Sequence, residues 1–231
     1  MSIREQILTA RLLIGALAGG ALAVAAITGA AAAAPSGAPE PSWRDFKEVS
    51  NSSFLESSGD RAIQLSIDVA ASPHDAFGAF ATSEGFSSWA VPVAHVELRI
   101  GGFIEASYDA NAKLGDPGNI RNEIIAYVPD RLLVIRNVQA PPGFADPELF
   151  RHTSTVIEFA PQDATHTHVT LTNAGYGTGE RWDRLYRHFE WGDAYTLAEL
   201  KARFDHVPVD WAARESSRKA AAAARSVEAT H

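Results

Sequence analysis

The chemistry of this chain gathers first on one helix. The stretch RWDRLYRHFEWGDAYTLAELKARF, residues 181–204, carries large rings with one acid among them. At about 100° per residue, Trp182, Leu185, Phe189, Thr196 and Leu200 fall along one line, with Tyr186, Leu197 and Phe204 beside it. Asp193 projects only about 40° from Phe189, so it shares the apolar face, while Arg184, Arg187, Glu190 and Lys201 form a solvated one. An ionised carboxylate in such a place is costly unless it is paired or hydrogen-bonded, and otherwise it takes up a proton. Asp193 therefore reads as a polar anchor or acid/base at the closed end of an apolar pocket, or as a pin bonded to an internal Arg, His or Tyr. A third reading makes it the cap of a second segment, the helix breaking at Gly192.

Partners for that acid are sought on the strands. Alternation over residues 132–138 puts Arg136 on the face of Leu132, Val134 and Val138, and over 120–128 it groups Glu123 with Ile125 and Tyr127. An inward Arg136 with an inward Glu123 makes a clamp for carboxylates and other planar anions; the alternative is an ion pair on the sheet surface. Phe86, Trp89, Tyr108, Tyr176, Trp182, Tyr186 and Phe189 crowd a cavity mouth or simply fill the core, and buried Tyr and Trp tips supply specific hydrogen bonds. Tyr176, in the glycine-rich NAGYGTGER, is a lid candidate. His166 and His168 share one strand face opposite Val169 and Leu171, with no third ligand, so no metal is expected. The GYGTG glycines do not follow a strand of a parallel nucleotide-binding unit, and neither a Gly-x-Ser-x-Gly elbow nor a His-Glu-x-x-His pair occurs. No cofactor is called for.

The elements that must position these residues follow from periodicity and punctuation. Residues 62–69 alternate Ile63, Leu65, Ile67 and Val69 against polar neighbours, a half-buried strand. Ser72 then caps a short helix with Pro73 at its first turn, and residues 83–89 give a second. Strands are predicted at 95–100, 103–108, 120–128, 132–138, 153–159 and 166–173, with turns at Gly101-Gly102, Pro129-Asp130 and Pro161-Gln162-Asp163. One strand, two short helices, six strands and a long helix make an α+β domain, its curved antiparallel sheet wrapped on the helix. The Ala-rich tail, 207–231, can form a marginal exposed helix.

A net charge of −8 excludes a nucleic-acid surface, which needs clustered Lys and Arg, and the absence of cysteine excludes disulfides, thiolate metal sites and Cys nucleophiles. Residues 1–34 place Arg4 and Arg11 before an uncharged Leu/Ala/Gly/Ile run and a small-residue stretch, the order of a secretory signal with cleavage near 32–34. The expected location is periplasmic or secreted; the same run retained as an anchor would leave the chain on the membrane, facing the exported side. Residues 35–60, rich in Pro, Ser and Gly, read as a linker that docks at Trp43 and Phe46, and the domain runs from 61 to 206.

Within that domain SPHDAFGAFATSEGFSSWAVP, VELRIGGFIEA, IIAYVPDRLLVIR, STVIEFAP, THVTLTNAGY and EWGDAYTLAELKARF, in this order, resemble the START-like (SRPBCC) superfamily. The branch they resemble is that of homologues of the activator of the heat-shock protein 90 ATPase. The resemblance spans about residues 62–204 and implies a helix-grip fold: seven antiparallel strands curled around the C-terminal helix, with an apolar cavity between them. Members bind or transform hydrophobic small molecules. In the family the residue after the glycine matching Gly192 is commonly tryptophan; here it is Asp193.

Two functional classes lead. One is an exported protein that binds a hydrophobic small molecule, its candidate contacts being Trp89, Tyr108, Glu123, Arg136, Tyr176, Trp182, Tyr186, Phe189 and Asp193. The other is a polyketide cyclase- or dehydratase-like enzyme with Asp193 as acid/base, helped by Arg136 or Tyr186. A co-chaperone-like interaction module is the third class, and it requires a cytosolic address that the leader argues against.

Overall fold

The computed structural model describes residues 40–228, with side chains to 220. The predicted leader lies outside the described residues.

The scaffold is one antiparallel sheet. Its strands are β1 (Ser50–Asn51), β2 (Phe54–Leu55), β3 (Arg61–Val69), β4 (Val93–Val96), β5 (Phe103–Ser107), β6 (Ile120–Val128), β7 (Leu132–Gln139), β8 (Ser154–Pro161) and β9 (Thr167–Tyr176). They lie in the order β1-β3-β9-β8-β7-β6-β5-β4, with β2 also on β3. The seven expected strands are all present. The two extra ones come from the predicted linker, where two-residue strands are too short to show alternation; Ser50 pairs with Ser66 and Phe54 with Ala62. β4 ends earlier than predicted because residues 97–102 fold into a tight turn, with Gly102 N–H bonded to Arg99 O, and this leaves Ile100 exposed. Gly101 adopts φ +75° there, and a Cβ on Gly102 would lie 2.1 Å from Glu97 O, so both glycines are required.

Between β3 and β4 stand α1 (Pro73–Ala81), capped by Ser72 on the Asp75 N–H, and α2 (Ser83–Ser87), capped by Thr82 on the Gly85 N–H. A short α3 (Pro147–Phe150), not foreseen, delivers Phe150 to the core. The long helix α4 (Glu180–Asp205) is continuous, so the break at Gly192 does not occur. It covers the concave side of the sheet mainly through β3. Inner residues Ile63, Leu65, Ile67, Ile124, Leu133, Ile135, Ile157, Val169 and Leu171 meet Leu185, Phe189, Leu197 and Leu200 in one core. Each such side chain contributes about 1.5–3 kcal/mol on burial.

Two segments treated as appendages are part of the body. Phe46 lies 5.9 Å from the Trp191 ring and 6.1 Å from Tyr195, and Trp191 and Tyr195 stack at 5.6 Å. This contact explains why Trp191 is buried on the side of α4 away from the sheet. At the other end α5 (Trp211–Glu228) is held by a few long arms. Trp211 Nε1 donates to Ser87 O at 2.6 Å, Val209 N–H to Ser88 O at 2.9 Å, and Arg214 reaches Tyr195 Oη and Glu199.

Candidate functional site

Asp193 is fully buried, as its helical phase requires. It meets the sheet at Asn173 of β9, whose Nδ2 donates to Asp193 Oδ2 at 3.3 Å. From that point a row of polar side chains crosses the inner face of the sheet. Asn173 is opposed by Thr155 of β8. Two residues before Thr155, just ahead of β8, Thr153 accepts a hydrogen bond from Asn137 Nδ2 of β7 at 2.6 Å, and Asn137 is opposed by Asn122 of β6. Asn122, Thr153 and Asn173 are 0 % exposed, Thr155 1 % and Asn137 2 %. With strands about 4.8 Å apart, the row from β6 to β9 spans roughly 14 Å.

Much of this row has nothing to bond to. Asn122 Oδ1 and Nδ2, Asn137 Oδ1, Thr155 Oγ1, Asn173 Oδ1 and the Tyr176 hydroxyl are buried with no hydrogen-bond partner among the described residues. Leaving a buried donor or acceptor unmade costs about 1–3 kcal/mol, so folded proteins tolerate few such groups and rarely gather them on one surface. Tyr176 stands at the Asp193 end. Burial raises its phenol well above the ordinary value of 10, the negative charge of Asp193 and the Tyr186 phenol raise it further, and nearby Asn173 lowers it without reaching hydrogen-bond geometry.

The predicted site residues divide into those gathered here and those placed elsewhere. Tyr176, Trp182, Tyr186 and Phe189 form one aromatic group: Tyr176 is edge-on to Trp182 at 6.3 Å and to Tyr186 at 5.4 Å, and Phe189 stacks on Phe150 at 5.8 Å. Tyr176 is the last residue of β9 and wholly buried, so it is a wall of the core and not a lid. Tyr186 lies beneath the Arg61 guanidinium at 4.8 Å, and Arg61 also pairs with Asp183 at 2.8 Å, fastening β3 to the first turn of α4.

Glu123 and Arg136 are corrections. They pair with each other at 2.5 Å on the outer face of the sheet, where the Arg136 side chain is 51 % exposed. In β7 both alternating sets are apolar, and the core takes Leu133, Ile135 and Asn137 instead of the set containing Arg136. In β6 an irregularity between Ile124 and Ala126 shifts the pattern, so that Ile120, Asn122 and Ile124 point inward and Glu123 outward. Trp89 is buried under α1, its Nε1 donating to Ala79 O at 2.9 Å, and packs against Phe80 and Phe86. Tyr108, 40 % exposed, stands near the C-terminal segment; desolvation, then the Tyr195 phenol, raises its own phenol well above the ordinary value of 10. His166 pairs with Asp163 and His168 with Asp68, both on the exterior.

Sequence reasoning missed Asn122, Asn137, Thr155 and Asn173. Their only signal was spacing: Asn122 sits two residues from both Ile120 and Ile124, and Asn173 two from Leu171. Two open clefts also indent the surface. One of about 310 Å³ is lined by Glu40, Pro41, Arg184, Arg187, His188 and Trp191, the other, about 230 Å³, by residues of α4's first turn with Leu149 and Thr178. Asp193 and the strand asparagines line neither.

The chain is similar to several known proteins. Residues 70–205 match the family described as Activator of Hsp90 ATPase homolog 1-like protein. A Mesorhizobium loti protein, MLL2253, superposes with TM-score 0.50 at 16 % identity over 64 % of this chain and all of its own length. The Aha1 dimer from Colwellia psychrerythraea gives 0.49 at 16 % identity over 62 % of this chain and 95 % of that one. An HSP90 activator from Plasmodium falciparum gives 0.37 at 17 % identity over 54 % of this chain and 84 % of that one. Comparison with curated proteins gives no match. A sheet curled on a long C-terminal helix, with short helices between its first two long strands, is the START-like arrangement, which serves ligand-binding and interaction modules. This chain belongs to the Activator of Hsp90 ATPase homolog 1-like family.

Proposed function

We propose that the protein is an exported START-like binder of a hydrophobic small molecule, held between the sheet and α4 with its polar groups against the Asn122–Asn137–Thr155–Asn173 row. The observation that carries this reading is the set of unpartnered polar atoms on one buried surface, a pattern typical of sites where a few placed polar groups orient a mostly apolar guest. It favours a small molecule over a protein partner because those atoms lie inside the fold. Ile124, Leu133, Ile135 and Phe189 offer the apolar surroundings. Export, to the periplasm or outside the cell, rests on the charged, apolar and small-residue order of residues 1–34; retention of that segment would tether the same domain to the membrane.

The test is mass spectrometry of compounds released by organic solvent from protein purified under non-denaturing conditions from its native host. A stoichiometric small molecule supports the reading, and protein that is empty in native spectra and binds no apolar probe overturns it. N-terminal sequencing of the same sample reads the leader: a start near residue 35 supports cleaved export, and an intact Met1 overturns it.

A cyclase- or dehydratase-like enzyme is the second reading, favoured by the coupling of buried Asp193 to the Tyr176 phenol. Under it, Asp193→Asn abolishes turnover of the bound compound while leaving its binding intact.

A further inference from the structure

We infer that the interior selects an uncharged or cationic ligand that donates hydrogen bonds, and rejects carboxylates and other anions. This rests on the small-molecule reading above and specifies its chemistry.

Thr153 has one hydroxyl proton, and it donates that proton to Phe150 O at 2.9 Å. Its 2.6 Å contact with Asn137 must therefore be one in which Asn137 donates. The amide orientation of Asn137 is thereby fixed, and its Oδ1, buried and unpartnered, is left as a pure acceptor facing the interior. Directly across the β6–β7 ladder, Asn122 offers both an acceptor and a donor with neither one used. A ligand lying along these two strands has to bring at least one hydrogen to Asn137, and Asn122 takes a second hydrogen at Oδ1, or an acceptor at Nδ2 where the ligand has one. A hydrocarbon satisfies none of these groups, and a carboxylate, which only accepts, leaves Asn137 unmet.

The charge inventory points the same way. Among the described residues the buried polar side chains are Ser66, Glu105, Ser107, Asn119, Asn122, Asn137, Thr153, Thr155, Thr167, Asn173, Asp193 and Thr196. No Lys, Arg or His is among them, and the guanidinium once placed inside by alternation, that of Arg136, is on the outer face. The Arg61 guanidinium over Tyr186 is engaged by Asp183 and Gly177 O, so an anion drawn onto the strand row would lose its hydration without a free cation to meet it, a penalty that binding does not recover. An alcohol or an N–H group has no charge to desolvate, and an ammonium brings the hydrogens that Asn137 and Asn122 accept.

Four probes with one apolar body decide the matter: 1-naphthylmethanol, 1-naphthylmethylamine, 1-naphthoate and 1-methylnaphthalene, titrated at pH 7.5 by fluorescence. The alcohol and the amine should bind at least tenfold tighter than the naphthoate and the hydrocarbon. Asn137→Leu, which removes the fixed acceptor, should bring the alcohol down to the affinity of 1-methylnaphthalene. Thr155→Val, which deletes a hydroxyl without a partner and so leaves the fold intact, should weaken the alcohol and not the hydrocarbon. Naphthoate binding as tightly as the alcohol, or hydrocarbon equal to the alcohol in the wild type, overturns this inference while leaving the small-molecule reading standing. Failure of all four probes overturns the reading beneath it as well.

Discussion

Asn173 of β9 and Asp193 of α4 meet at 3.3 Å where neither side chain is exposed to solvent. The contact fastens the long helix to the middle of the sheet through polar atoms within an otherwise apolar layer. Asp193→Ala removes the acceptor, strands Asn173 Nδ2 and leaves a void, and should lower the unfolding free energy by about 3 kcal/mol. Asp193→Asn keeps a side-chain oxygen for Asn173 and should cost much less. Urea unfolding checks both, and an alanine variant within about 0.5 kcal/mol of wild type would remove Asp193 from the structural account.

Thr155 predicts the opposite sign. Its hydroxyl is buried without a partner, so replacing it by the methyl group of Thr155→Val should leave the ligand-free protein as stable as before or about 1 kcal/mol more stable. A loss of more than about 1 kcal/mol in the same urea assay would mean that the hydroxyl is bonded after all.

The tyrosines set an alkaline limit. Burial, then Glu199, pushes the Tyr195 phenol up to about 12, and burial with Asp193 pushes Tyr176 well above 10. The unfolded chain loses these protons at about pH 10, so above that pH the folded state binds more of them. Stability is therefore fully present below about pH 10 and falls as pH rises toward 12, with a slope of up to about 1.4 kcal/mol per unit for each phenol. Tyr176→Phe should flatten the fall by as much as one such contribution, measured by urea unfolding at intervals from pH 9 to 11.5.

Glu123 and Arg136 should matter little. Their pair is on the outer face with the arginine half exposed, and such pairs contribute less than about 1 kcal/mol. A double-mutant cycle with Glu123→Gln and Arg136→Gln should give a coupling in that range, and naphthylmethanol affinity should not move.

The sequence carried the helical phase of Asp193 because a 26-residue amphipathic helix repeats its signal over many turns. It carried the seven longer strands through alternation and turn residues, and the cap at Ser72 through the Ser-Pro start of α1. The inner face of β6 and β7 was not legible in the same way. In β7 both phases are apolar, so periodicity cannot choose between the set with Arg136 and the set with Asn137. In β6 a register irregularity after Ile124 breaks the alternation that grouped Glu123 with Tyr127. Asparagine also counts as a turn residue in any propensity argument, which hid three of the row's members. The contacts of Phe46 with Trp191 and Tyr195 were equally out of reach, although Trp43 and Phe46 marked the segment as one that docks.

The pairing of β3 with β9 sets Asp68 opposite His168, a hundred residues later in the chain. At about 5–20 residues per second of synthesis, the greasy side of β3, with Ile63, Leu65, Ile67 and Val69, waits roughly 5–20 s for its neighbour to emerge. Closure of so large a loop is slow and comes late, so the sheet edge at β3 stays open while the sequential pairs from β4 to β8 form beside it. Nascent chains stalled before residue 160 should be digested rapidly by added protease, and those released beyond residue 205 should resist it.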